Sequence, residues 1–169
     1  MIMNRVFSTA SAATFTIKPI KELLSRYVPN GQGWADPYSG WTSPAEFTND
    51  INIERKTMFH LDALDFAQIV VGPLNGVLFD PPYSYRQVSE HYKAAGHKPT
   101  MKDTSYNFYA RVLNPLGEKI KQGGIAISFG WNSNGFGKKR GFKIKEILIV
   151  AHGLHHNDTI VTVEEKCLI

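Results

Sequence analysis

Residues 76–83 read Gly76-Val77-Leu78-Phe79-Asp80-Pro81-Pro82-Tyr83. An apolar run bounded by Gly and closed by an acid and two prolines reads as a buried parallel strand ending at Asp80. In open α/β sheets ligands sit at the carboxyl ends of the strands. An acid there, followed by prolines that restrict φ, makes a stiff polar corner with the Tyr83 ring beside it. A carboxylate, an adjacent backbone carbonyl and an aromatic ring suit a planar heterocycle that bears an exocyclic amine. The amine donates to Asp80 and to the Pro81 carbonyl while Tyr83 stacks on the ring. Such an amine is a poor nucleophile, because its lone pair is delocalised. Two acceptors that draw its hydrogens out of plane localise that pair, and alignment with an electrophile completes the task.

Outward from this strand the chain alternates between elements. Residues 18–27 carry Ile20, Leu23, Leu24 and Tyr27 at helical spacing, with Pro19 in the first turn. Residues 62–70 read as a short helix, and 85–95 and 106–121 as longer ones, with Pro115 a candidate interruption of the last. Residues 124–129 and 142–152 read as buried strands, and 158–166 as a β-branched, alternating one. A turn at 153–157 makes the last two a hairpin. His152, His155 and His156 belong to that turn; His clusters suggest metals, but the nearest carboxylate is Asp158 and the spacing is that of a turn. The pattern predicts an α/β sheet covered on both faces.

Asp80-Pro81-Pro82-Tyr83 after an apolar strand resembles the DPPY catalytic motif of S-adenosylmethionine-dependent amino-methyltransferases acting on adenine in DNA. Other segments resemble that family's motifs in the family's order. Lys18-Pro19-Ile20 resembles the segment preceding its cofactor motif, and Asp36-Pro37-Tyr38-Ser39-Gly40 the cofactor loop. Asn49-Asp50-Ile51-Asn52 resembles the acid at the end of the second strand, and His60-Leu61-Asp62-Ala63-Leu64 the motif whose acid faces the cofactor's adenine amine. The resemblance covers about residues 17–166. It implies a Rossmann-like class I methyltransferase fold: a mostly parallel sheet, helices on both faces and a C-terminal antiparallel hairpin. It implies S-adenosylmethionine as cofactor, held by Lys18, Asp36, Pro37, Tyr38, Gly40, Asp50, Ile51, Asp62 and Ala63. Asp80, Pro81, Pro82 and Tyr83 are the catalytic set it implies, and no metal is required.

The chain departs from the family in two ways. Position 42 is Thr where the cofactor loop usually has a second Gly, and Asp36 to Asp50 spans only 14 positions. A parallel crossover usually takes a dozen or more residues, so the first crossover helix is expected to be short or absent. No segment has room for an added target-recognition domain. Either specificity is relaxed, or the target is a structured or single-stranded nucleic acid, or a homodimer or partner subunit supplies the specificity.

At 169 residues and 19.0 kDa the chain is expected to be one domain, 17–169, preceded by a leader of 16 residues. The single cysteine, Cys167, excludes an intrachain disulfide and a multi-cysteine zinc site, and a cytoplasmic setting is the natural inference. No apolar stretch approaches the ~18 residues of a membrane span. The formal charge is +4, which permits a polyanionic partner. Residues 138–145 read KKRGFKIK after a Gly- and Asn-rich stretch. Lys138, Lys139 and Arg140 are candidate phosphate contacts, and Trp131 and Phe136 candidate stacking groups for a displaced base. Ser84, Tyr85 and Arg86 follow the motif and are further nucleic-acid candidates, as are Lys98 and Lys102 in a loop at 96–105. The expected reaction is methylation of the adenine amine in DNA. The alternatives are the same chemistry on RNA or on cytosine, a small-molecule methyltransferase, and a non-catalytic or partner-dependent nucleic-acid-binding subunit.

Overall fold

The computed structural model describes residues 1–96, 106–153 and 156–167. One seven-stranded sheet organises them, in the order β1-β6-β7-β5-β4-β2-β3. Its strands are β1 (Ile2–Phe7), β2 (Trp34–Asp36), β3 (Phe47–Thr48), β4 (Leu74–Phe79), β5 (Ile120–Gly130), β6 (Phe142–Ala151) and β7 (Thr159–Lys166). β7 runs antiparallel to both neighbours, and every other pair is parallel. Four helices accompany them: α1 (Lys18–Tyr27), α2 (Ala63–Ile69), α3 (Tyr85–Ala94) and α4 (Tyr106–Lys119). This is the Rossmann-like architecture, with a closing hairpin of β6 and β7.

Alternation along the strands builds two cores. Val77 and Phe79 of β4 face one way, with Ala126 of β5, and meet Phe66 of α2 and Val112 and Leu116 of α4. Leu78 faces the other way, with Ile127 and Phe129, and meets Ile20, Leu23 and Leu24 of α1. The helical spacing read in residues 18–27 is thus the stripe that covers one face. Glu146 of β6 is 1% exposed. It accepts hydrogen bonds from Arg26 Nη2 at 2.7 Å and Tyr27 Oη at 2.9 Å, which fix the end of α1 to the sheet.

The structure departs from several sequence expectations. Residues 2–7, within the stretch expected as a leader, form β1, an outer strand parallel to β6. Local sequence hides this, because all six residues are exposed; backbone pairing with β6 builds the strand, and Arg5 reaches Asp158 Oδ2 at 3.8 Å. The His152 ring closes the same corner, with Nδ1 donating to the Ser8 carbonyl and Nε2 bonded to the Thr159 hydroxyl, each at 2.8 Å. His155 lies outside the described residues. Pro115 does not interrupt α4, which is helical through it; Val112 and Leu116, both fully buried, clamp the helix across the missing hydrogen bond. β5 begins at once after α4, four residues earlier than its apolar run suggests. No helix lies between β2 and β3. No described helix is long and apolar enough to cross a membrane.

Candidate functional site

β4 pairs with β5 on one side and β2 on the other, while β2 leads outward to β3. The strand order therefore reverses between β4 and β2, the place where such sheets open a crevice at their carboxyl ends. Asp36 ends β2, and Asp80 follows β4. Two cavities flank the Asp80–Tyr83 segment, and Pro81, Pro82 and Tyr83 line both.

The first cavity holds about 240 Å³. Pro37, Tyr38, Gly40, Asp50, Ile51, Asp62, Ala63 and Asp80 all line it. Asn49 assembles this wall. It is 1% exposed, its Nδ2 donates to the Pro37 and Leu61 carbonyls, and its Oδ1 accepts from Leu61 N. Asp50 accepts from Gly40 N at 3.2 Å and Asn52 N at 2.8 Å. Gly40 has φ +55°, and a side chain there would meet nothing within 4 Å, so the backbone of this turn borders open space. The Tyr38 hydroxyl is buried without a hydrogen-bond partner. Burial pushes its pKa well above the ordinary value for tyrosine.

Two predicted cofactor residues behave differently. Lys18 is exposed at the start of α1 and does not line the cavity; Ala12, Ala13, Thr14 and Phe15 line it instead. The turn at 14–16 brings the chain past the crevice before α1 sets out, so the lysine falls outside. Asp36 lies fully buried under its loop rather than in the cavity wall. It accepts from Tyr38 N at 2.9 Å and Ser43 Oγ at 2.6 Å, and so braces the turn from below. Burial, reinforced by the charges of Asp80 and Asp50, raises its pKa to about 7. Asp62 does line the cavity, but it is also the cap of α2. Its carboxylate accepts from Leu64 N at 2.9 Å and from the Tyr92 hydroxyl at 2.5 Å.

At the motif itself, Tyr83 Oη donates to Asp80 Oδ1. Burial and the Asp80 charge raise the Tyr83 pKa far above its ordinary value. Its backbone N–H donates to Gln87 Oε1 at 2.6 Å, and its ring meets Trp131 with centroids 5.7 Å apart. The Tyr109 hydroxyl donates to the Pro82 carbonyl, and burial raises its pKa to about 12.

The second cavity, about 480 Å³, is lined beyond the motif by Ser128, Trp131, Asn132, Asn134, Gly135 and Arg140. Glu164 of β7, 1% exposed, holds this loop: it accepts from Phe136 N at 2.6 Å and Gly137 N at 2.9 Å. Burial raises its pKa, against the pull of those two N–H groups. A side chain at Gly135 would come within 2.0 Å of Glu164 Oε2, so only glycine fits there.

The nucleic-acid candidates divide. Trp131 is 44% exposed at the cavity mouth. Phe136 is no stacking group: it is fully buried between Phe79 and Phe142. Glu164 draws its backbone inward, and its ring follows into the core. Arg140 donates to Asn114 Oδ1 at 2.8 Å and to the Phe136 carbonyl at 2.7 Å, so it braces the loop. Lys138 and Lys139 are exposed on the same turn. Ser84 bonds Gln87 N at 3.3 Å at the start of α3, and Arg86 points to solvent beside Glu90. The Tyr85 side chain, Lys98 and Lys102 lie outside the described residues.

Sequence reading missed Arg55, Trp41, Tyr92 and Tyr109, all of which line the first cavity. They sit on loops and helices between motifs, and only the third dimension gathers them. Among the described residues, no group of three or more His, Cys, Asp or Glu side chains is arranged to hold a metal.

No family model matches the chain, and no curated protein sequence does. Among solved structures, the chain is similar to the crystal structure of TrmN from Thermus thermophilus. The TM-score is 0.57 and the identity 17%, over 89% of this chain and 49% of that one. The chain thus spans about half the length of that structure. The likeness is one of fold, and that fold is the methyltransferase fold.

Proposed function

We propose that the protein is an S-adenosylmethionine-dependent methyltransferase that methylates the exocyclic amine of adenine in nucleic acid, in DNA ahead of RNA. One observation carries the reading: the Asp80–Tyr83 segment stands at the strand-order reversal and separates two cavities of unlike character. The smaller holds three carboxylates, Asp50, Asp62 and Asp80, and suits one compact cationic ligand. The larger is lined by Trp131 and Arg140, with Lys138 and Lys139 exposed on the same turn as Arg140, and suits a base delivered from a polyanion.

The residues present fit the cofactor. The buried Tyr38 hydroxyl lacks a partner, the Gly40 turn borders open space, and the carboxylates balance positive charge. Pro37, Tyr38, Gly40, Asp50, Ile51, Asp62 and Ala63 are the residues that would hold it. When bound, S-adenosylmethionine supplies a methyl group already activated on a sulfonium.

The chain's own part is grip and alignment. Asp80 and the Pro81 carbonyl accept hydrogen bonds from the target amine, while Tyr83 and Trp131 frame the ring. The amine competes with the Tyr83 hydroxyl for Asp80 Oδ1. Tyr109 ties down the Pro82 carbonyl and keeps the corner rigid. Sequence selection belongs in this reading to a second copy or a partner subunit.

The test is transfer of labelled methyl from S-adenosylmethionine to unmethylated DNA and, separately, RNA, with the modified base identified after digestion. Label in methyladenine, at least 100-fold lower in Asp80→Ala, is the expected result. Wild-type turnover in Asp80→Ala would sink the mechanism, and label on neither polymer would sink the substrate assignment.

A further inference from the structure

Arg55 is the one cation among the described residues that line the first cavity, against the three carboxylates named above. Its setting is unusual for a surface arginine. The guanidinium carbon lies 4.0 Å from the centroid of the Trp41 ring. Its Nε is 4.0 Å from Asp50 Oδ2, beyond hydrogen-bond reach. That Nε is buried and has no hydrogen-bond partner. A buried donor without an acceptor is rare in folded proteins and calls for a reason. Trp41, itself 65% exposed, contributes little to the core; its ring serves as a platform that holds the guanidinium flat. Asp50 meanwhile spends its oxygens on Gly40 N and Asn52 N, which leaves the guanidinium close by but not bidentately paired.

A planar guanidinium on an aromatic platform is suited to a carboxylate, which it grips with two parallel hydrogen bonds. S-adenosylmethionine carries one carboxylate and two cationic centres, and the cavity offers one guanidinium and three carboxylates. Trp41 directly follows Gly40, whose turn borders the open space of this cavity. We propose that Arg55, presented by Trp41, binds the α-carboxylate of the cofactor's amino-acid end. The inference rests on the cofactor reading above and adds the residue that selects an intact amino acid on the ligand. It gives Arg55 and Trp41 a joint task that no motif in the sequence announces.

Calorimetric binding separates the possibilities without any turnover. Wild type, Arg55→Gln and Trp41→Ala are titrated with S-adenosylmethionine and with its decarboxylated analogue. The expected result is roughly 10- to 100-fold weaker binding of S-adenosylmethionine to Arg55→Gln, the range for a lost hydrogen bond to a charged group. Binding of the decarboxylated analogue is expected to match wild type. Trp41→Ala should show a smaller loss, also confined to the carboxylated ligand. Equal weakening of both ligands in Arg55→Gln, or no weakening of either, overturns the proposal while the cofactor reading stands. A wild-type protein that binds neither ligand overturns both. Thermal unfolding of each variant near the wild-type midpoint ties the change to the ligand rather than to the fold.

Discussion

Asp36 shows how a motif residue can act from beneath a site. It is fully buried, and its two hydrogen bonds fix the turn that carries Tyr38 and Gly40 to the cavity. Burial raises its pKa from 3.8 to about 7, while the Ser43 and Tyr38 donors pull the other way. The folded state then holds a proton that the unfolded state gives up between those values. Stability from this group is present below pH ~4 and is lost as pH rises through about 7. Asp36→Asn removes the titration and keeps an acceptor oxygen. The difference in unfolding free energy between variant and wild type should move in the variant's favour from pH 5 to pH 8, measured by urea denaturation. A difference flat across that range would show that Asp36 stays charged in the fold. An acid, Pro, aromatic, small residue and Gly at 36–40 are plain in the sequence. The direction in which Asp36 faces is not, because two neighbouring loops decide which side of the turn is covered.

The helix ends depend on distant lysines. Lys166 Nζ, from β7, donates to the carbonyls of Gly117, Glu118 and Ile120 at 2.6, 3.2 and 2.8 Å, around the end of α4. Lys119 Nζ does the same for α2 through Ala67 and Gln68, at 2.8 and 2.6 Å. The last carbonyls of a helix lack partners inside it, and a cation there also suits the helix dipole. Lys166→Met keeps the aliphatic stem and removes the donor. It should cost about 1–3 kcal/mol by chemical denaturation, the range for leaving such groups unsatisfied. A loss below ~0.5 kcal/mol would mean that water replaces the lysine. Periodicity revealed α1 and α4 as helices, but it did not place the end of α4. The side chain that satisfies its last carbonyls, Lys166, belongs to a distant strand.

Across the whole molecule, the reversal of strand order places the motif corner between two cavities. Lys138 and Lys139 are exposed on the turn before β6, and Arg140 is spent on bracing. If the partner is a nucleic acid, binding weakens as salt rises, and each phosphate contact adds about 0.9 to the slope of log K against log salt. Lys138→Ala with Lys139→Ala should weaken binding and lower that slope by roughly 1–2. Fluorescence anisotropy of a labelled oligonucleotide over a salt series reads both effects. An unchanged slope would move the polyanion to another face.

By itself the sequence determined the local facts: an apolar strand ending in Asp80-Pro81-Pro82-Tyr83, an amphipathic helix at 18–27, a closing hairpin, and acids at 36, 50, 62 and 80 in order. These follow from periodicities of two and 3.6 and from turn chemistry, which act over a few residues. The tertiary structure alone decided that residues 2–7 pair with β6, that Phe136 turns into the core, and that Lys18 stays outside. It alone brought Arg55 and Trp41 to the cavity of Asp80, and Glu164 under the loop at 132–137. Edge pairing, loop convergence and buried carboxylates depend on partners far away along the chain. Whether such a group meets its partner is settled only when the sheet closes and water leaves.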